Sequence, residues 1–99
     1  MSTKAEQTIE QAAAAIRNAK HVIAVTGAGM SAESGIPTFR DPGGIWEKYP
    51  IEEYATIYAY LENPQKVWRF WVELAEITVD CGPNPGHYAL AELEKKGYL

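Results

Sequence analysis

The stretch that decides the fold reads Val25-Thr26-Gly27-Ala28-Gly29-Met30-Ser31-Ala32. Residues 27–32 of this stretch have the form G-x-G-x-x-G/A. They directly follow His21–Thr26, a short β-branched and apolar run that predicts a strand buried on both faces. In this pattern Gly27 allows a sharp turn, Gly29 lets the backbone approach a pyrophosphate, and Ala32 permits close packing of the following helix. That helix would point its free N–H groups at the phosphates, with the Ser31 hydroxyl beside them. The pattern therefore predicts an α/β chain with a Rossmann-like nucleotide-binding fold.

Spacing separates this glycine turn from other phosphate-binding and nucleophilic loops. A P-loop needs Gly-Lys-Ser/Thr, and no lysine stands nearby; a nucleophile elbow needs G-x-S-x-G, but Glu33 replaces the last glycine. A standard dehydrogenase carries an acidic residue at the end of a second strand roughly 20 residues further on. Glu47, Glu52 and Glu53 stand near that distance, but Trp46–Pro50 lacks the pattern of a strand. Two interpretations remain: an ordinary strand-to-helix turn, or a dinucleotide site in which the following loop replaces the usual ribose contact.

Further elements are predicted on both sides of the turn. The capping-box pair Thr3 and Glu6 starts an amphipathic helix that ends near residues 18–20. Gly35–Gly44, half of which is glycine or proline, is a long loop of the kind that forms lids or binding loops. Residues 52–61 form a weaker helix, and two more helices begin at Asn-Pro pairs, in which Asn caps and Pro takes the first helical position. These pairs are Asn63-Pro64, with a helix that ends at Gly82-Pro83, and Asn84-Pro85, with a helix that ends at Lys95-Lys96-Gly97.

Composition and charge exclude several classes of function. The 99 residues predict at most one small domain, and 46% hydrophobic with 22% charged residues is the balance of a folded globular chain. The net charge is −4 and Lys and Arg do not cluster, so no direct nucleic-acid partner is expected. No apolar run approaches the roughly 20 residues that span a bilayer, and no secretory signal is seen, so no membrane partner is expected. The single cysteine, Cys81, excludes an internal disulfide and favours a reducing, cytoplasmic setting.

A longer stretch around the glycine turn resembles a known family. The run Gly27-Ala28-Gly29-Met30-Ser31-Ala32-Glu33-Ser34-Gly35-Ile36-Pro37-Thr38-Phe39-Arg40 is similar to the signature of the sirtuins, NAD-dependent protein lysine deacylases. Gly44-Ile45-Trp46 resembles the exit of the family's next loop, and Pro83-Asn84-Pro85-Gly86-His87-Tyr88-Ala89-Leu90 resembles the start of its next helix. The resemblance runs from about Ile9 to the end of the chain. It implies that residues 1–99 are the N-terminal part of a sirtuin-type NAD-binding catalytic domain, with no second domain in this chain.

The resemblance implies NAD as cofactor and assigns residues to it. Ala28, Gly29 and Ser31 match positions that hold the pyrophosphate. The cofactor-binding loop, which matches Ile36, Thr38, Phe39 and Arg40, lies beside the nicotinamide ribose. The position of Thr38 is often Asp in the family, so this chain keeps a polar group there without the charge. The residues predicted to bind the cofactor are Gly27, Ala28, Gly29, Ser31, Ile36, Pro37, Thr38, Phe39, Arg40 and Trp46. No catalytic residue and no metal ligand is predicted in the chain; the catalytic histidine, the nicotinamide site and the zinc cysteines are expected in a missing C-terminal part.

The same resemblance implies a reaction and its partners. In sirtuins the acyl oxygen of a modified lysine attacks the ribose carbon as nicotinamide leaves, and the products are free lysine, nicotinamide and O-acyl-ADP-ribose. Desuccinylase-like members carry Tyr and Arg three residues apart, where this chain has Trp71 and Leu74, so the expected substrate is an acetylated lysine protein. The other expected partner is the remainder of the catalytic domain. A buried aromatic such as Phe39 would shield the reacting ribose from water.

Other residues capable of chemistry are predicted to be structural. His21 is expected at the surface end of the strand, His87 in a structural hydrogen bond, and Cys81 as a small apolar or surface residue. Three aromatic residues lie on a predicted helix face and are expected in the core, namely Trp68, Phe70 and Trp71.

Three functions are compatible with these patterns. The chain is part of an NAD-dependent deacetylase, or a non-catalytic piece that binds NAD or ADP-ribose, or a helix-rich piece that docks on another chain through the aromatic face at residues 67–75. A parallel strand needs neighbours for its backbone groups, and the chain supplies only one, so the predicted fold is incomplete. Nicotinamide release would separate the first function from the others, and none is expected from the 99 residues alone.

Overall fold

Helices make up the regular structure of the computed structural model, which describes residues 1–99. They are α1 (Lys4–Asn18), a 3₁₀ helix (Ala28–Ser34), α2 (Ile45–Lys48), α3 (Ile51–Tyr54), α4 (Ile57–Glu62), α5 (Pro64–Thr78) and α6 (Pro85–Lys95). None of these helices combines the length and the apolar character needed to cross a bilayer. The chain divides into two units, one made of Met1–Val25 with Pro85–Leu99 and the other of Thr26–Asn84.

The first unit contains the two predicted terminal helices. At the start of α1 the Thr3 hydroxyl accepts the Glu6 N–H at 3.1 Å, and the Glu6 carboxylate accepts the Thr3 N–H at 2.7 Å. This reciprocal capping box satisfies two of the donors that a helix start leaves free, and it confirms the prediction. Gly97 follows α6 with a φ of 84°, which is the left-handed conformation that ends many helices. No residue of this unit is buried.

The prediction of a strand at His21–Thr26 is wrong. These residues form no strand, and no other segment of the 99 residues pairs with them. A strand exists only through hydrogen bonds to a neighbouring strand, and the apolar sequence of one segment cannot supply that neighbour. The side chains expected inside are open to solvent, with Ile23 73% and Val25 92% exposed. The predicted α/β fold is therefore represented here by its helices and turn without the sheet.

The second unit holds the core, built where α3, α4 and α5 pack on one another. Phe70 on α5 is 2% exposed, and its ring centroid lies 5.1 Å from that of Tyr49 and 5.2 Å from that of Tyr54. Ile45, Ala59 and Val67 complete the buried apolar set. Phe70 is therefore the central residue of this core, because it is the most buried side chain and its ring contacts both tyrosines. Burial of aromatic rings is the main stabilising contribution available to so small a core.

The helices of this unit follow the predicted starts with one correction. Asn63 caps α5 by accepting the Lys66 N–H at 3.1 Å, and Pro64 takes the first helical position as predicted. The predicted helix over 52–61 is two short helices, because Thr56 caps α4 by accepting the Ala59 N–H at 3.1 Å and so starts a new helix.

The expectation that all three aromatic residues of α5 are core residues is correct for Phe70 alone. Trp68 is 61% and Trp71 42% exposed, so the prediction is wrong for both. The apolar stripe of α5 is wider than the face that α3 and α4 cover, and a sequence pattern does not show how much of a stripe has a partner.

Candidate functional site

The glycine turn forms a single 3₁₀ segment, and the predicted start of an α-helix at this place is wrong. The Met30 N–H donates to the Gly27 carbonyl oxygen at 3.0 Å, which is the i to i+3 bond of a 3₁₀ helix. Gly35 ends the segment with a φ of 91°, and its N–H donates to the Ala32 carbonyl oxygen at 3.0 Å. A left-handed residue this soon after the start leaves room for only one short helix.

The backbone at Gly27 and Gly29 agrees only in part with the roles that the motif predicts for them. Gly27 has φ −148° and ψ −163°, a region that most residues can adopt, and nothing lies within 4 Å of a Cβ built on it. The chain does turn here, since the Gly27 carbonyl oxygen accepts the Met30 N–H, but the turn does not require a glycine at this position. A Cβ on Gly29 would also meet nothing within 4 Å, so the backbone there is open, as a close approach by a ligand requires. Ala32 is exposed rather than packed.

Asn84 holds the 3₁₀ segment from the interior of the unit. Its Nδ2 donates to the Met30 carbonyl oxygen at 2.8 Å and to the Ser34 Oγ at 3.0 Å, and the residue is 8% exposed. The sequence places Asn84 at the start of a helix and gives no sign of this contact. Met30 and Asn84 are 54 positions apart, so no local pattern could have indicated it.

The Gly/Pro loop is closed by its own backbone. A turn over Asp41–Gly44 has Pro second and Gly43 third with a φ of 77°, the residue pattern of a type II turn, and the Gly44 N–H donates to the Asp41 carbonyl oxygen at 2.7 Å. The Ile45 and Trp46 N–H groups then donate to the carbonyl oxygens of Thr38 at 2.9 Å and Phe39 at 3.0 Å. The loop is thus an ordered element that enters α2 directly.

The glycine turn and this loop meet around one cavity of about 240 Å³. Its lining residues are Ala28, Gly29, Thr38, Phe39, Arg40 and Asp41. At its rim the Thr38 hydroxyl donates to the Asp41 carboxylate at 2.7 Å. Asp41 is the only lining residue of this cavity that was not predicted from the sequence, although it lies three residues from Thr38.

A second, mostly apolar cavity of about 230 Å³ adjoins the first and shares Ala28 and Phe39 with it. Its lining residues are Ala28, Ser31, Ile36, Pro37, Phe39, Ile45, Leu74 and Thr78. All the residues predicted to bind a cofactor line one or both cavities, except Gly27 and Trp46. The Trp46 ring instead packs on Phe39, with centroids 4.9 Å apart, and reaches Phe70 at 6.1 Å. Trp46 therefore supports the site by connecting the loop to the core.

The residues around the two cavities suit an organic anion. The Arg40 guanidinium, the Ser31 hydroxyl and the open backbone at Gly29 can bind phosphate oxygens, whereas Phe39 provides an apolar surface. No three His, Cys, Asp or Glu side chains in the structure come together in a way that could hold a metal ion. A larger cavity of about 550 Å³ lies between Glu52, Glu62 and Lys66 and contains none of the predicted residues. Its volume alone does not make it a better candidate for an anion, because three of its six lining residues are glutamates.

Comparison with known proteins assigns the chain to a family. The family model of the Sir2 family matches residues 27–99, and the chain belongs to that family, the sirtuins, as the resemblance indicated. The NAD-dependent protein deacylase of Thermococcus sibiricus is 54% identical over 91 residues, which are 92% of this chain and 36% of the relative. NAD-dependent protein deacylase 2 of Pyrobaculum aerophilum is 49% identical over 84 residues, or 85% of this chain and 34% of the relative.

A solved structure of a mutant Sir2 homologue in complex with ADP-ribose has the same fold over this segment. The TM-score is 0.82 at 43% identity, over 91% of this chain and 36% of that one. The chain thus spans about a third of the length of these two deacylases, at 34% and 36%.

Proposed function

We propose that this chain carries the NAD pyrophosphate turn and the cofactor-binding loop of an NAD-dependent protein lysine deacetylase. The observation that carries the proposal is that Gly29 of the turn and Thr38 and Arg40 of the loop line one cavity. The matching relatives are named NAD-dependent protein deacylases, and the solved Sir2 homologue is a complex with ADP-ribose. Both findings support NAD as the cofactor of the protein.

The residues present fit that cofactor. We assign the pyrophosphate to the open backbone at Gly29 and to the Ser31 hydroxyl, and the nicotinamide ribose to the surface formed by Ile36, Thr38 and Phe39. Arg40 contributes a permanent positive charge close to the phosphates. When bound, NAD supplies the ribose carbon that the acyl oxygen of the modified lysine attacks as nicotinamide leaves. The half-buried Phe39 ring keeps water from that carbon.

The acyl preference proposed is acetyl. No cationic side chain lines the apolar cavity, and Leu74 lies in its wall where desuccinylase-like members have Arg. An acidic acyl group buried there would lack a partner for its charge, which costs several kcal/mol. The proposed partners are therefore an acetylated lysine protein and the remainder of the catalytic domain. The proposal assigns neither a catalytic base nor zinc to the 99 residues, and a cytoplasmic location stays a prediction.

Titration calorimetry with ADP-ribose tests the proposal on the chain itself. We expect binding by the wild-type chain and a loss of at least tenfold in Gly29→Leu, because the new side chain would project into the space now open beside the backbone. Gly82→Leu is the matched control, since Gly82 also has nothing within 4 Å of its Cβ position but lies outside both cavities. Absence of binding by the wild-type chain, or equal binding by Gly29→Leu, would contradict the proposal. We expect no nicotinamide release from the 99 residues incubated with NAD and an acetyl-lysine peptide.

One observation favours a second candidate function, docking on another chain. Trp68 and Trp71 on α5 present large apolar surfaces to solvent, and exposed aromatic residues of this kind are common in protein interfaces. If the chain does not bind ADP-ribose, docking on another chain becomes the favoured function. Replacement of both tryptophans by glutamine would then be expected to abolish the association of the chain with the remainder of the catalytic domain.

A further inference from the structure

We infer that Asp41 is a positioning residue that makes the Thr38 hydroxyl a hydrogen-bond acceptor toward the cofactor. The inference rests on the proposed function, and it deepens it by naming the kind of group that meets Thr38. That group is an N–H or O–H donor from the nicotinamide riboside end of the cofactor.

The hydrogen bond between the two side chains decides what Thr38 can offer. A hydroxyl has one proton to donate and two lone pairs to accept with, whereas a carboxylate only accepts. The Thr38 Oγ1 donates to the Asp41 Oδ2 at 2.7 Å, a length typical of a hydroxyl bound to a charged acceptor. Because its only proton is used there, Thr38 can meet a ligand only as an acceptor. The adjacent negative charge polarises the O–H bond and strengthens that acceptor.

The backbone holds both partners of this bond in place. The Asp41 carbonyl oxygen accepts the Gly44 N–H at 2.7 Å, and the Thr38 carbonyl oxygen accepts the Ile45 N–H at 2.9 Å. Pro42 restricts the Asp41–Gly44 turn further, since its ring fixes φ. The backbone that brings the two side chains together is therefore in place before any ligand arrives, which reduces the ordering cost of binding.

Both residues line the same cavity, so their chemistry acts on whatever occupies it. A carboxamide N–H or a ribose hydroxyl can donate to the Thr38 oxygen. A carboxylate or phosphate oxygen at this point would face a lone pair and a negative charge, and it is disfavoured by both. The Thr38–Asp41 pair thus selects for a neutral donor beside the loop, while the anionic part of the cofactor lies toward the glycine turn.

Affinities of NAD and ADP-ribose, measured by titration calorimetry, test this assignment. Thr38→Val keeps the shape and removes the acceptor, so NAD should bind about three- to tenfold more weakly. Asp41→Ala should weaken NAD binding about two- to fivefold, because the hydroxyl is no longer held as an acceptor. If charge alone mattered, Asp41→Ala should instead tighten NAD binding, since removing a negative charge favours an anionic ligand. In the Thr38→Val background, Asp41→Ala should therefore cause no further loss.

The two ligands distinguish the possible donors. A loss for NAD and ADP-ribose alike identifies a ribose hydroxyl, whereas a loss for NAD alone identifies the carboxamide, which ADP-ribose lacks. Thr38→Ser and Asp41→Asn should restore affinity to within about twofold, because each keeps the oxygen that the bond needs. A merely structural role would not produce this pattern, and thermal melts followed by circular dichroism should be unchanged in all four single variants.

Two outcomes would overturn the inference, and they are separable from each other. Asp41→Ala binding NAD as tightly as the wild-type chain, or more tightly, refutes the positioning role while leaving the proposed function intact. A wild-type chain that binds neither NAD nor ADP-ribose refutes the proposed function, and the role assigned to Asp41 falls with it.

Discussion

Gly44 is the position at which the loop is least able to accept a side chain. A Cβ placed there would lie 2.7 Å from the Thr38 carbonyl oxygen and 2.8 Å from those of Phe39 and Asp41. Ordinary carbon–oxygen contacts begin near 3.3 Å, so all three are too short by roughly half an ångström. Gly44 itself has φ −75° and ψ 177°, a conformation open to other residues, so the cost of Gly44→Ala is steric.

The loss of stability expected for Gly44→Ala follows from the backbone groups that the added methyl group displaces. The three oxygens accept the N–H groups of Gly44, Ile45 and Trp46, so relief of the clash weakens hydrogen bonds that close the loop. Loss of one or two such bonds costs about 1–3 kcal/mol, which is also the usual range for overpacking a filled space. With a urea dependence of about 1 kcal/mol per molar, typical of small domains, the unfolding midpoint should fall by roughly 1–3 M.

Urea unfolding followed by tryptophan fluorescence measures this change. Gly82→Ala is the control, because a Cβ there meets nothing within 4 Å and should alter stability by less than about 0.5 kcal/mol. Gly44→Ala should also weaken ADP-ribose binding, since Thr38 and Asp41 belong to the displaced loop. Equal midpoints for the two alanine variants would refute the reasoning, and with it the view that the loop is a closed element.

Three further predictions concern the core, the interior hydrogen bonds and a surface ion pair. Phe70→Ala should cost about 3–5 kcal/mol and abolish cooperative unfolding, whereas Phe70→Leu should retain it, as thermal melts can show. Asn84→Ala should lower the free energy of unfolding by about 1–3 kcal/mol through loss of both donors, and unchanged urea midpoints would contradict that. The hydrogen bond to Glu53 raises the pKa of Lys66 above its ordinary value of 10.5. The stabilisation that this bond provides is therefore complete below pH 10.5 and is lost as the pH rises through the folded-state pKa of Lys66. Lys66→Met should therefore flatten the alkaline end of a stability-versus-pH curve, and an unaltered curve would show that the pair is without effect.

Local signals account for the parts of the fold that were predicted correctly. Thr3 and Glu6, and likewise Asn63 and Lys66, make their contacts within one helical turn, so the chemistry of neighbouring residues is enough to place these helix starts. Residues 27–46 are likewise continuous in sequence, which is why most of the lining of both cavities could be listed in advance. Sequence periodicity failed at Trp68 and Trp71, because it shows an apolar face but not whether another element covers it.

By itself, the sequence determined where α1, α5 and α6 begin, the position of the glycine turn and the membership of a family, because each depends on residues close together in the chain. Tertiary structure decided that Asn84 holds the 3₁₀ segment across 54 positions and that Phe70 rather than its tryptophan neighbours fills the core. It also decided that His21–Thr26 forms no strand, although the residues favour one. The physical reason is common to all three: a buried polar group, a core residue and a strand are each defined by a partner that is distant in sequence, and that partner is supplied by folding.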